Sequence, residues 1–182
     1  MKTISINRYA FSELSPEAQA KAIEKIRESE YENFPQYLLS EIMDQEASNL
    51  LFNHFNGLDS NLKLYYDLSH NQGSGVALAG EIFAKDKPSL TLPEACYRIV
   101  ITHSGRYYHE YSFSVELFDE NYEEIEGAER VLEELRDTCK RLERIGYKWE
   151  RDYFSDDNLK EIAINAGEVF TSAGNWSEPE AN

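Results

Sequence analysis

Three histidines are the residues of this chain best suited to chemistry. His70 lies in a polar loop, and His103 and His109 lie in a tyrosine-rich stretch. Three converging imidazole rings could bind a metal ion or supply a general base. The spacing does not force convergence, and a histidine between Tyr107 and Tyr111 is typical of a core residue hydrogen-bonded to a tyrosine. A metal-dependent enzyme using these histidines is therefore an alternative hypothesis, and we predict no metal site.

A second candidate is the glycine-rich sequence of Gly73, Ser74 and Gly75. A phosphate-binding loop needs the GxGxxG pattern before a helix, whereas this sequence leads into a predicted strand. A nucleophilic serine needs the GxSxG pattern at a strand-to-helix turn. Because neither pattern is present, we predict a flexible loop that contacts a partner through Asn71, Gln72 and Ser74, with no catalytic residue and no cofactor.

Carboxylates are the third candidate group. The chain has 34 acidic and 18 basic residues, so its net charge is −16 and its pI is about 4.6. Such a field repels nucleic acid and anionic membranes and favours a basic partner, although acidity can also serve solubility alone. Spaced carboxylates on a helix could imitate the phosphates of DNA, and the candidates are Glu126, Glu129, Glu133 and Asp137. The alternative is a solvated helix with acids at its start and bases at its end, as the helix dipole favours.

The loop that holds Asn71 and Gln72 lies between two stretches in which apolar and polar residues alternate. This period of two predicts strands with one buried face, and hence a hairpin. If Leu68 lies opposite Val76, the loop is Ser69 to Gly75 and all even-numbered side chains face the same way.

A second hairpin carries the tyrosines and two of the histidines. Its first strand places Tyr97, Ile99 and Ile101 on one face, and its second strand places alternate residues from 107 to 117 on one face. For the two sets to share a face, we expect His103 to pair with Tyr107 across a loop of residues 104–106.

Helical periodicity accounts for most of the remaining chain. Ser15 can cap a first helix, and Pro35 opens a second that ends near residues 56–57. Asn121 and Glu124 resemble a capping box, which predicts a long helix from about 122 to 150. Ser155 opens a short helix before a frayed tail, and weak alternation over residues 2–8 suggests an edge strand.

These elements predict one α+β domain spanning residues 1–182. It comprises a helical hairpin (about 13–57), two strand hairpins (about 60–84 and 96–118), the long helix, and a C-terminal helix and tail (155–182). We expect an antiparallel sheet of four to five strands with the helices packed on one face. The two cysteines lack CxxC spacing, and neither a leader nor a run of 18 apolar residues is present, so we expect a soluble cytoplasmic protein.

Three stretches carry a resemblance to known proteins. They are YAFSELSPEAQAKAIEKIRE (9–28), LSHNQGSGVALAG (68–80) and GRYYHEYSF (105–113), and the segment 166–174 matches the same pattern at its end. Together they resemble a diffuse group of small phage and prophage proteins loosely labelled antitoxin-like. Ser74 stands where that group usually has Asp, and Leu78 where it has an aromatic residue.

The resemblance implies an accessory protein of a mobile element, of the kind that includes anti-restriction and anti-CRISPR inhibitors. A phage-derived acidic inhibitor would block a host defence complex, such as a CRISPR nuclease with its positively charged channels. The alternative from the same resemblance is an antitoxin that neutralises a basic toxin. Both hypotheses predict a binding protein with a basic protein or nucleoprotein partner, without direct nucleic-acid or membrane binding, and both are compatible with a homodimer.

Overall fold

The computed structural model describes residues 7–52 and 61–177 of the chain. Within these ranges the helices and strands, in chain order, are β1 (Tyr9–Ala10), α1 (Pro16–Glu32), α2 (Gln36–Phe52), β2 (Leu62–Asp67), β3 (Gly75–Phe83), β4 (Arg98–His103), β5 (Phe113–Phe118), β6 (Glu124–Ile125), α3 (Ala128–Tyr153), α4 (Asp156–Asn165) and β7 (Val169–Phe170). The predicted α+β class is confirmed.

The chain divides into two compact units. The first, which we name the terminal unit, contains the described residues up to 36 and those from 149 onward. The second, the central unit, contains the described residues from 37 to 148. The two predicted helices of residues 13–57 thus belong to different units, α1 to the terminal one and nearly all of α2 to the central one.

The terminal unit has its own apolar core. Ser15 caps α1 as expected by accepting a hydrogen bond from the Ala18 N–H, and α1 packs against α4. β1 and β7 pair as a short sheet, and Phe170 of β7 belongs to the same core cluster as the buried residues of α1. The buried residues are Phe11, Leu14, Ala18, Ala22, Ile26, Leu159, Ala163 and Phe170. The described part of the tail is not frayed, because Trp176 forms a bridge with Phe170. Most of the strand predicted for residues 2–8 lies outside the described residues.

The central unit is built on a five-stranded antiparallel sheet in the order β2-β3-β4-β5-β6. The pairing places even-numbered residues of β2 and β3 on the same face as odd-numbered residues of β4 and β5. This face is apolar and holds the buried side chains of Leu62, Val76, Leu78, Ile82, Ile99, Ile101, Phe113, Val115 and Leu117. The opposite face is largely polar and includes the Arg98–Glu81 ion pair.

Two helices supply the other side of the central core. Buried residues of α2 and α3 recur at helical spacing: Leu39, Met43, Ala47 and Leu51, then Val131, Leu135, Cys139 and Leu142. Gly146 permits a close approach, because a Cβ there would lie 2.6 Å from Leu68 Cδ1 and 3.2 Å from Met43 Sδ. The expected packing of helices on one sheet face is confirmed for these two helices.

The register of the first hairpin differs from the prediction. Val76 pairs with Tyr66 rather than with Leu68, so the loop comprises residues 68–74. The Asp67 carboxylate accepts a hydrogen bond from the Ser69 N–H, which turns the chain away from the strand, and Leu68 is buried beside Gly146. The predicted shared face of the even-numbered residues is correct.

The second hairpin has a much longer loop than predicted. His103 pairs with Phe113 rather than with Tyr107, so residues 104–112 form the connection. A local turn explains the difference, because the His109 carbonyl accepts the Ser112 N–H and the Ser112 hydroxyl accepts the His109 N–H. Tyr107 therefore lies in the loop, although odd-numbered residues of the two strands do share a face.

The long helix begins at Ala128, later than predicted. Asn121 is not its cap, because the Asp119 carboxylate accepts hydrogen bonds from the N–H groups of Asn121 and Glu123 and forms a turn. The chain then pairs Glu124 with Phe118 as β6, the fifth strand. Consequently Glu126 precedes the helix, which continues to Tyr153.

None of the helices within residues 7–52 and 61–177 is long and apolar enough to cross a membrane.

Candidate functional site

The loops of the two central hairpins contact each other. We name residues 68–74 the first loop and residues 104–112 the second loop. The Tyr108 N–H donates a hydrogen bond of 3.0 Å to the Gly73 carbonyl oxygen. Gly73 has φ +95°, and a Cβ at this position would lie 2.3 Å from Cδ1 of Tyr107. Glycine is therefore required here both for the backbone conformation and for the close contact.

The first loop contains the three predicted partner contacts Asn71, Gln72 and Ser74. The Ser74 hydroxyl accepts a 2.9 Å hydrogen bond from the Asn71 N–H and lies 3.2 Å from the Ser69 hydroxyl. The Asn71 side chain donates to the same Ser69 oxygen. Gln72 is exposed, and its side chain has no hydrogen-bond partner among the residues described here. The side chains of Ser74 and Asn71 thus stabilise the loop conformation, while the Gln72 side chain faces solvent.

Four rings of the second loop and two rings of the strands β2 and β4 form a region that we name the tyrosine–histidine surface. It consists of Tyr65, His103, Tyr107, Tyr108, His109 and Tyr111. The His103 ring stacks on Tyr65 with centroids 4.9 Å apart, and Tyr108 lies near both rings. Tyr107 stacks on His109 at 6.0 Å. Mutual stacking holds these rings in place although several remain exposed.

Helix α3 fixes the end of the second loop. The Arg136 guanidinium lies 4.8 Å from the centroid of the Tyr111 ring, and Lys140 Nζ lies 5.7 Å from it. Arg136 also donates a 3.2 Å hydrogen bond to the Glu110 carbonyl oxygen, and Lys140 lies 4.0 Å from the Glu110 carboxylate. Tyr111 is 62% exposed, so its aromatic ring is accessible and is also in contact with two cations.

Two of the predicted acidic contacts lie beside this ring. Glu133 forms an ion pair with Arg136, and the Asp137 carboxylate lies 4.0 Å from Lys140. Both carboxylates are exposed. The structure therefore joins Glu133 and Asp137 to the second loop through the same two cations that contact Tyr111.

The other two predicted acidic contacts lie at the start of α3. Glu126 and Glu129 are exposed and line a shallow cavity of about 520 Å³ formed by residues 124–129. Glu129 occupies the first turn of the helix, where its charge stabilises the positive end of the dipole. Glu126 lies before the helix and is not part of a carboxylate row on it.

The three histidines do not form a metal site. The Gly105 N–H donates to His103 Nδ1 at 3.2 Å, so Nε2 carries the proton and donates to the Tyr107 carbonyl oxygen at 2.7 Å. His109 Nδ1 accepts from the Tyr111 N–H, and His70 stacks on Tyr147 with centroids 4.3 Å apart. Within residues 7–52 and 61–177, no three His, Cys, Asp or Glu side chains are placed to hold a metal ion.

A group of ionisable side chains, partly buried or exposed, lies where α3 meets the two loops. Burial raises the pKa of Glu143, and the negative charge of Glu110 raises it further, whereas Arg144, His109 and His70 act in the opposite direction. Burial, followed by these two carboxylates, raises the pKa of the Cys139 thiol to about 12. A thiol with so high a pKa is almost entirely protonated near neutral pH, so Cys139 is not a nucleophile.

Sequence reasoning did not find Arg136 and Lys140 as part of the site. Their spacing of i, i+4 was visible and places them on the same side of a helix. Their contact with Tyr111 depends on the second loop, and the sequence predicted Tyr111 within a strand. The contact could have been predicted from the sequence only if the register of the second hairpin, which places Tyr111 in the loop, had been known.

Comparison with known proteins gives no assignment. The chain matches no protein-family model, no curated protein and no solved structure. The chemistry of the surface formed by Gln72, Tyr107, Tyr108, Tyr111, Glu133 and Asp137, which we name the loop–helix surface, is therefore the basis for a functional proposal.

Proposed function

We propose that this protein is an inhibitor that binds and blocks a basic protein or nucleoprotein of host defence in the bacterial cytoplasm. A CRISPR nuclease is the first candidate, as implied by the resemblance to phage accessory proteins. The observation that carries the proposal is the 62% exposed ring of Tyr111, which is in contact with Arg136 and Lys140. Binding, without catalysis, is the proposed activity.

The composition of the loop–helix surface supports a role in protein binding. Tyrosine and arginine are enriched among the residues that contribute most to interface affinity. Rings that are already held in place lose little conformational entropy when a partner binds. Tyr107, Tyr108 and Tyr111 are all partly or largely exposed and are held by neighbouring rings or cations, so they are suited to this role.

The charge of the chain supports a basic partner. A net charge of −16 attracts cationic surfaces over several ångströms and increases the rate of encounter with them. Glu129, Glu133 and Asp137 follow one another at four-residue spacing on α3, and each is exposed. These carboxylates could occupy part of a channel that normally binds phosphates, while the tyrosines supply shape-specific contacts.

The proposal is tested by capture followed by inhibition. The tagged protein is incubated with lysates that express CRISPR effectors, washed at low and high salt, and the retained proteins are identified by mass spectrometry. We expect a nuclease that is lost at high salt, and inhibition of DNA cleavage by that purified nuclease. Recovery of one small basic protein instead would favour the antitoxin hypothesis, and recovery of neither would contradict the proposal.

Charge-matched variants show which surface binds. Replacing Glu129, Glu133 and Asp137 with their amides should weaken binding about tenfold at low salt, and much less at high salt. The control replaces three other exposed acids, Glu28, Glu32 and Glu41, with glutamine and makes the same change in net charge. Equal weakening by both triple variants would show that overall charge acts without a specific surface.

A second pair of variants tests the aromatic contact. Tyr111→Ala removes the ring held by the two cations, whereas Tyr37→Ala removes a ring of similar exposure, 66%, elsewhere in the central unit. We expect only Tyr111→Ala to weaken partner binding, by tenfold or more if the ring is an anchor. Unchanged affinity in the Tyr111 variant would remove this surface from the proposal.

A further inference from the structure

Strand β2 is an edge strand of the central sheet. It is six residues long, and among the described residues its hydrogen-bonded neighbour is β3 alone. The opposite edge is β6, which has only two residues. Proteins protect edge strands by making them short, by placing proline or a bulge in them, or by placing charged side chains, especially lysine, on them. β6 is protected by its length, whereas β2, with the sequence LKLYYD, has six residues and no proline, and its charged residues are one lysine and one aspartate of opposite sign.

The register shows which backbone groups of β2 point outward. The Glu81 N–H donates to the Asn61 carbonyl oxygen, and the same pairing continues along the two strands. Because hydrogen-bonded residues alternate in an antiparallel pair, Lys63, Tyr65 and Asp67 bond to β3. The N–H and C=O groups of the intervening residues, Leu64 and Tyr66, therefore point to the outer edge.

The sequence of β2 is complementary to itself in one antiparallel register. If Tyr65 of one chain lies opposite Tyr65 of a second copy, Leu64 faces Tyr66 and Lys63 faces Asp67. Leu64 and Tyr66 carry the outward backbone groups, so each of these pairs can exchange two hydrogen bonds. Lys63 and Asp67 fall at positions without backbone hydrogen bonds, where side chains are closest, and form oppositely charged pairs.

We propose that two copies of the protein associate through antiparallel pairing of β2 about a twofold axis at Tyr65. A twofold axis makes every contact occur twice, so the pairs Lys63–Asp67 and Leu64–Tyr66 are each doubled. Although each chain carries a charge of −16, β2 itself has one lysine and one aspartate and no net charge. The strand therefore offers a neutral, hydrogen-bonding edge for a second copy.

The dimer would join the tyrosine–histidine surfaces of the two chains. Tyr65 stacks on His103 and Tyr108 within its own chain. With Tyr65 opposite Tyr65, the two clusters would become neighbours on the polar face of a continuous sheet. This inference is independent of the proposed inhibitor role, since it depends only on the edge strand.

The register is tested by charge exchange. Lys63→Glu places two carboxylates opposite each other at both symmetric contacts, and Asp67→Lys places two cations there. We expect each variant alone to have a dimer dissociation constant about tenfold higher than the wild type in sedimentation experiments at low salt. An equal mixture of the two variants restores both opposite-charge pairs and should dimerise like the wild type. Asp67→Lys also removes the hydrogen bond from the Ser69 N–H, so circular dichroism and thermal unfolding check that both variants are folded. A monomeric wild type, or a mixture of two folded variants that stays monomeric, would overturn the proposal.

A backbone variant provides an independent test. Leu64→Pro removes an outward N–H without removing a hydrogen bond to β3, and proline is tolerated at edge positions of this kind. Leu64→Ala is the control, because it shortens the same side chain but retains the N–H. We expect the proline variant to be monomeric and the alanine variant to dimerise, with circular dichroism confirming that both are folded. Equal dimerisation of the two folded variants would contradict pairing through β2.

Discussion

The N–H of Tyr108 donates a hydrogen bond of 3.0 Å to the carbonyl oxygen of Gly73, and this bond joins the two hairpin loops of the central unit. Gln72 directly precedes Gly73, and Tyr107 directly precedes Tyr108. The exposed residues of both loops are therefore positioned by one backbone contact. A change at that contact should affect both halves of the proposed binding surface.

Gly73→Ala is expected to open this contact. The new Cβ would lie 2.3 Å from Cδ1 of Tyr107, and the positive φ of +95° adds about 1–2 kcal/mol of backbone strain. Gly105→Ala is the control, because Gly105 also has a positive φ of +81° but has no atom within 4 Å of the added Cβ. Urea unfolding should show a larger loss of stability for the Gly73 variant, and partner affinity should fall in that variant only. Equal losses in the two variants would show that backbone strain alone matters.

Ser74→Ala should mainly lower folding stability, whereas Gln72→Ala should mainly lower partner affinity. The Ser74 hydroxyl accepts the Asn71 N–H inside the loop, so its removal should cost about 1 kcal/mol of folding stability. Gln72 is exposed, so its removal should leave stability unchanged and lower partner affinity if the loop is a contact surface. Thermal unfolding and binding measurements on both variants separate the two roles. Unchanged affinity for Gln72→Ala would exclude its side chain as a contact.

Glu143 should make the protein less stable as the pH rises above the ordinary glutamate pKa of 4.5. Burial raises its pKa in the folded protein, so the native state keeps a proton that the unfolded chain has lost. Glu143→Gln removes this effect, and the variant should gain stability relative to the wild type between pH 4 and pH 7. Urea unfolding across that range measures the difference. A difference that does not change with pH would contradict the raised pKa.

Asp119 is the control for Glu143, because its pKa is shifted in the opposite direction and stability should therefore depend on pH with the opposite sign. Hydrogen bonds from the backbone N–H groups of Glu123 and Asn121 lower its pKa below 3.8. Its contribution to stability is therefore present above the ordinary pKa and is lost as the pH falls through the lowered value. Asp119→Asn should destabilise the protein at neutral pH and have progressively less effect in acid.

The two thiols should react with alkylating reagents at different rates. Cys139 is 1% exposed and has a pKa of about 12, whereas Cys96 is 7% exposed and has a pKa that burial raises less far. At mildly alkaline pH we expect Cys96 of the native protein to be modified by iodoacetamide first, with mass spectrometry following each site. Unfolding in guanidinium chloride should make the two rates similar. Faster native modification of Cys139 would contradict its burial beneath the loops.

The sequence was sufficient to predict which residues form the sheet core but not the register of the strands. Leu64 and Leu78 share a face in any pairing that keeps even-numbered residues together, so a shift by two residues leaves the face unchanged. The turn made by Asp67 and the burial of Leu68 against Gly146 decide the register, and both depend on tertiary contacts. In the second hairpin, the turn between His109 and Ser112 ends the loop much later than the pattern indicated.

The start of α3 shows the same limit. Asn121 and Glu124 have the spacing of a capping box. However, the Asp119 carboxylate accepts hydrogen bonds from the N–H groups of Asn121 and Glu123, and the turn that it forms leads into β6. The candidate site was accordingly predicted only in part. Gln72, Glu133 and Asp137 are exposed as expected, whereas the Tyr111 site with its two cations required the three-dimensional contacts of the second loop.

The terminal unit is formed by the two ends of the described chain, and the residues of the central unit lie between these ends in the sequence. Tyr9 pairs with Phe170, and α1 packs against α4. On the ribosome, the central unit is complete once residue 148 has emerged, while α1 still lacks the segments that cover its apolar stripe. Domains generally fold as units during synthesis, so α1 cannot complete its core until α4 and β7, which come later in the chain, have been made. During that interval the apolar residues Ala18, Ala22 and Ile26 of α1 are exposed to solvent, and α1 is the segment that a chaperone would encounter.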